Sequence, residues 1–186
     1  DAIHEIEENS YTILERMKSY NRDKAVGTEV VIPNKSFSEK SIFTLGDLEF
    51  HVLHLGPAHG PGDTQVWLPQ LSLMIAGDMA FHERMLPIFE NTCTKCWLET
   101  WDEKFAPLNA TYVIPGHGHP TNMAQVTRFT RDYLEDLRAK VLEVLDNGGD
   151  LAEAFYVDQE RWRSLDTFEE LAKRNAGRVF EEMEFE

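Results

Sequence analysis

Three times in this chain an apolar stretch runs out into a glycine-bearing segment that carries a histidine or an aspartate. The segments are Leu55-Gly-Pro-Ala-His59-Gly-Pro-Gly-Asp63, Leu73-Met-Ile-Ala-Gly77-Asp78 and Tyr112-Val-Ile-Pro-Gly116-His117-Gly118-His119-Pro120. A strand locked in a sheet fixes where its last residue stands, while the loop beyond it stays open to a ligand. Glycine lets such a loop turn tightly and proline stiffens it. Each segment alone has a plain reading: a surface turn at His59, a helix cap at Asp78, a turn before a helix at His117. Together they offer two imidazoles and a carboxylate. That donor set suits Zn²⁺, with Fe or Mn as alternatives, and predicts a metal site at one edge of a sheet.

The rest of the pattern predicts a mixed architecture of the α/β (α+β) class. Residues 2–19 read as a helix. TEVVI, KSIFTL, LEFHVLHL, TQVWLP and LSLMIAG, between residues 28 and 77, are rich in β-branched and aromatic residues and read as strands. Pro69-Gln70 marks a hairpin connection. A helix is expected at 94–106 and a strand, ATYVI, at 110–114. Met123, Val126, Phe129, Tyr133, Leu137, Val141 and Leu145 recur at helical spacing, which predicts one amphipathic helix over 121–146. Shorter helical signals follow at 151–156 and from 167, where Asp166 and Glu169 have capping-box spacing. Strands first and covering helices later make a mixed β-sheet layered with helices.

Composition narrows the partners. Of 186 residues, 42% are hydrophobic, enough for a buried core in one domain. Asp and Glu number 33 against 18 Lys and Arg, a net charge of -15. Such a surface repels phosphates and anionic lipid, which argues against nucleic-acid or membrane partners. No apolar run approaches the ~20 residues of a membrane span. Two cysteines make no disulfide scaffold and leave the compartment open, with the cytoplasm set ahead of a periplasm reached by a cleaved leader.

GPAHGPGDT, IAGD and PGHGHP, in this order and with these flanking strands, resemble the later metal-ligand motifs of the metallo-β-lactamase-fold hydrolase superfamily. The resemblance runs from about residue 25 to the C-terminus and includes the closing helix with Asn175, Arg178 and Val179. It implies an αββα sandwich and metal-assisted hydrolysis of an ester, thioester, lactone or phosphoester. It further implies that His59 completes the ligand set of a first metal, that Asp78 bridges two metals and that His117 is the last ligand of the second. An aspartate at 78, where the zinc β-lactamases carry cysteine, points away from antibiotic hydrolysis.

The superfamily's leading H-x-H-x-D-H signature is not found. His51 and His54 have the wrong spacing, and strand positions three apart face opposite ways. The chain is therefore expected to be the C-terminal portion of such a protein, a single partial domain lacking the first strands. With two ligands left per ion, Zn²⁺ would bind weakly and activity would be low. His82, His119 and Asp63 are candidate outer-shell, substitute or substrate-contacting groups. Cys93-Thr-Lys-Cys96 has CxxC spacing, a redox pair or half a zinc site in principle, but reads best as a half-buried helix start. The absent strands would leave an apolar sheet face, so a homo-oligomer is expected. The competing reading is a non-catalytic binding or assembly module that retains the second half of the fold.

Overall fold

The computed structural model describes residues 2–186, which divide into two compact units, 2–38 and 39–186. The first contains helix α1, Ala2–Asn21, and a short 3-10 turn, Arg22–Ala25. TEVVI, expected as a strand, is irregular and exposed. A strand persists only where its backbone groups find partners, and the sheet's pairings all lie between Lys40 and His117.

The second unit is built on a five-stranded sheet in sequential order: β1 Lys40–Leu45, β2 Leu48–Leu53, β3 Gln65–Leu68, β4 Leu73–Phe81 and β5 Tyr112–His117. β1 to β4 pair antiparallel, and β5 lies parallel to β4. The β3–β4 connection is a 3-10 turn, Pro69–Leu71, closed by Ser72 in the left-handed region. A parallel neighbour needs a crossover. Here it is α2, Thr94–Thr100, continued by a π turn, Trp101–Phe105, and a 3-10 turn, Ala106–Leu108.

The sequence places the end of the LSLMIAG strand at Gly77-Asp78. In the structure β4 continues to Phe81, and its register against β5 shifts on either side of Gly77. Asp78 therefore sits inside a strand whose pleat is interrupted, and not on a loop beyond it.

The expected helix over 121–146 is one run of α3 Met123–Val126, a π turn Thr127–Arg131 and α4 Asp132–Asp146. Asn122 caps it, its side chain accepting from the Gln125 N–H at 3.1 Å. α5, Leu151–Ala154, opens on a complete Asp150/Glu153 capping box. The capping box expected at Asp166 and Glu169 is absent: α6, Phe168–Met183, starts from Thr167 at φ 64 with no side-chain cap. The backbone of Asp166 is used elsewhere, donating to Glu83 O and accepting from Met85 N–H.

One face of the sheet packs against α2, α4 and α6. Met74, Ala76 and Val113 from the strands meet Trp97, Trp101, Phe105, Tyr133, Leu137, Val179 and Phe180 in a single buried cluster. Asn175 lies within it, fully buried, accepting from the Ile88 N–H and donating to Leu86 O and the Tyr133 hydroxyl. No helix among the described residues is long and apolar enough to cross a membrane.

Candidate metal centre

His59 stands on the loop between β2 and β3, and that loop is fastened from outside. The Thr92 hydroxyl donates to His59 O at 2.7 Å and the Thr100 hydroxyl to Pro57 O at 2.9 Å. Inside the loop, Asp63 accepts the Gly60 N–H at 3.0 Å. The imidazole is walled by Phe89, Trp97 and Phe81, with ring centroids 5.1, 5.8 and 5.8 Å away. Burial pushes its pKa below the ordinary value, against the opposing pull of the Asp78 and Asp63 carboxylates. Burial also raises the pKa of Asp63, although the Gly60 N–H favours its charged form.

Asp78 is the hub. Its Oδ2 lies 3.7 Å from His59 Nδ1 and its Oδ1 lies 3.7 Å from His117 Nε2. The Trp97 indole N–H donates to Met79 O at 3.1 Å and so anchors the backbone next to it. His117 ends β5, and its ring stacks on Phe81 at 5.1 Å and 23°. Its other nitrogen, Nδ1, is 3.2 Å from Arg84 Nη1. A guanidinium can only donate, so that nitrogen is the acceptor.

The side chains of His82, His119, His51 and His54 have other partners, although the His82 N–H donates to the His117 carbonyl at 3.0 Å. His82 Nδ1 is 2.9 Å from His119 O, and its ring rests on Phe129. His119 pairs with Glu83 at 2.6 Å on the open surface. The contact raises the imidazole's pKa and lowers the carboxyl's. His51 pairs with Glu49, and His54 with the Asp63 carbonyl. Cys93 and Cys96 are bonded to each other at the start of α2, where the Cys96 N–H points at Cys93 Sγ.

The chemistry of the three central side chains suits a divalent ion, and His59 Nε2 is a buried nitrogen with no hydrogen-bond partner. Among the described residues, however, no group of three or more His, Cys, Asp or Glu side chains is arranged to hold a metal. Sequence reasoning missed Arg84, Thr92, Phe89 and Trp97 as neighbours of the cluster. Each reaches it through tertiary contact, for which the local pattern carries no signal.

No family model matches the chain, and no curated protein does. Solved structures do. The stereoselective inverting sec-alkylsulfatase Pisa1 from Pseudomonas sp. superposes with a TM-score of 0.60 at 19% identity, over 83% of this chain and 27% of its own. A metallo-β-lactamase from Pontibacter korlensis matches with a TM-score of 0.50 at 20% identity, over 65% of this chain and 55% of its own. The metallo-β-lactamase IND-7 gives 0.50 at 20% identity, over 67% and 54%.

The chain carries part of a metallo-β-lactamase fold. It spans about a quarter of the sulfatase and about half of each lactamase. At these identities the likeness shows the fold alone, and activity, substrate and metal have to be argued from the site.

Proposed function

We propose that this chain is the C-terminal portion of a metal-dependent hydrolase with the metallo-β-lactamase fold. The observation that carries the reading is the pair of imidazoles, His59 and His117, flanking the two oxygens of one carboxylate, Asp78. His59, Asp78 and His117 would hold zinc, or iron or manganese, together with donors from outside these residues. The bound ion supplies Lewis acidity and lowers the pKa of water. The chain's own part is to set the donors. Asp78 keeps both imidazoles within reach, Phe81 and Trp97 shield the inner side from water, and the Thr92 and Thr100 hydroxyls fix the His59 loop.

The substrate is a small molecule with a bond cleaved by water: an ester, thioester, lactone, phosphoester or, by analogy with one neighbour of the fold, a sulfate ester. The test is zinc titration of the isolated chain, followed by the three alanine variants at 59, 78 and 117 and a hydrolysis screen over those ester classes. Binding should be much weaker than the about 10–16 kcal/mol apparent affinity of complete structural sites, and each variant should abolish it. Zinc binding that survives all three substitutions would sink the reading. A metal-free, well-folded assembly with no hydrolysis would favour the non-catalytic module.

A further inference from the structure

The CxxC pair plays no part in the proposed hydrolysis, yet its turn touches the His59 loop repeatedly. The Cys93–Cys96 disulfide closes the first turn of α2, with Cys93 at the cap and the Trp97 N–H donating to Cys93 O at 2.9 Å. The residue before the bridge, Thr92, accepts the Phe89 N–H and donates to His59 O. The residue after it, Trp97, meets the His59 ring in a T-shaped contact and donates its indole N–H to Met79 O beside Asp78. One turn further on, Thr100 holds Pro57 O. Both sulfurs belong to half-buried residues, and Cys93 lines a cavity of about 700 Å³ together with Phe89, Thr92 and Arg178.

From this we propose that Cys93–Cys96 is a thiol-reducible site whose state sets the order of the His59 loop. The co-reactant is a small thiol. Its thiolate bonds to the sulfur of Cys93, the Cys93–Cys96 bond breaks, and the electron pair leaves on Cys96, which takes a proton. A second thiol then attacks the mixed disulfide, which releases Cys93 as a thiol and the reagent as its own disulfide. Two electrons enter the protein, and two thiol molecules are oxidised. With the bridge open, the turn from Thr92 to Trp97 loses its covalent clamp, and the contacts that pin His59 and Pro57 fluctuate with it. Any consequence for hydrolysis rests on the function proposed above; the loosening itself does not.

The experiment uses the whole chain without metal, so its outcome is read separately from that of zinc binding. Iodoacetamide trapping with mass spectrometry should find no free thiol in the oxidised chain and two after dithiothreitol under native conditions. Amide hydrogen exchange at Ala58, His59 and Gly60 should accelerate by about tenfold on reduction and return on reoxidation with glutathione disulfide. The C93S/C96S variant should exchange like the reduced chain in either buffer, and the reversible change in the unmodified chain serves if that variant does not fold. Cysteines that stay unreactive after dithiothreitol, or exchange at these amides that is equal in both states, would overturn the proposal.

Discussion

A Cβ placed on Gly116 would stand 2.0 Å from Oδ1 of Asp78 and 2.7 Å from the carbonyl carbon of Gly77. β5 therefore runs so close to β4 that only a residue without a side chain fits where the central carboxylate lies. Two residues on, at φ +90, a Cβ on Gly118 would lie 1.8 Å from His82 O. The glycines of the PGHG segment are thus required by close backbone approach on either side of His117.

Gly116→Ala should destabilise the chain by about 1–3 kcal/mol, because the atoms it meets include backbone that cannot rotate away. Urea denaturation measures it, and zinc titration should show a parallel loss as the Asp78 carboxylate is displaced. An unchanged midpoint would mean that the two strands separate more easily than their spacing implies.

What the sequence discloses and what it hides divide along one line. His59, Asp78 and His117 are visible because each follows an apolar stretch, and the sheet turns that local fact into convergence on Asp78. Their supports are not visible. Arg84 reaches His117, and Thr92 reaches the His59 carbonyl, each across 33 residues of chain. The same line runs through the fold. The face of α4 shows in its periodicity, whereas TEVVI has strand-forming residues but no paired neighbour, and pairing is a property of the whole sheet. At Asp166 a sound local cap signal loses to long-range bonds with Glu83 and Met85.

Asn175→Leu should cost roughly 2–4 kcal/mol, since it strands the Ile88 N–H and the Leu86 carbonyl in a dry core. The Tyr133 hydroxyl would lose one partner and keep Gln159. Thermal and chemical denaturation read the effect. A loss below that of an ordinary surface substitution would show that water enters to replace the amide.

The metal-free chain should weaken in mild acid through His59. Burial holds the folded imidazole's pKa below its ordinary value of 6.5, so between the two values the unfolded chain binds the proton more readily. Stability from neutral His59 is complete above 6.5 and is lost as pH falls through the folded pKa. An NMR titration of the His59 ring should give a midpoint below that of His119, whose pairing with Glu83 raises its own value. The reverse order would show that Asp78 outweighs burial at His59.

The outer face of the sheet sets the last expectation, self-association. Cross-strand register puts Val52, Val66, Ile75 and Ile114 in one row, with the Phe43–Phe50 and Leu73–Tyr112 pairs on the same face. Phe43 is 50% exposed, Tyr112 61%, Ile75 38% and Ile114 36%, while the opposite face holds the buried core. Apolar patches of several hundred Å² on soluble proteins are usually interfaces, and a second copy offers a matching face by two-fold symmetry. The net charge of -15 opposes that approach, so salt should strengthen it by screening. Light scattering at roughly 50 µM should find a dimer or larger assembly that grows firmer with added salt, and Ile114→Glu should return it to monomer. A monodisperse monomer at both low and high salt would mean that this face tolerates water without a partner.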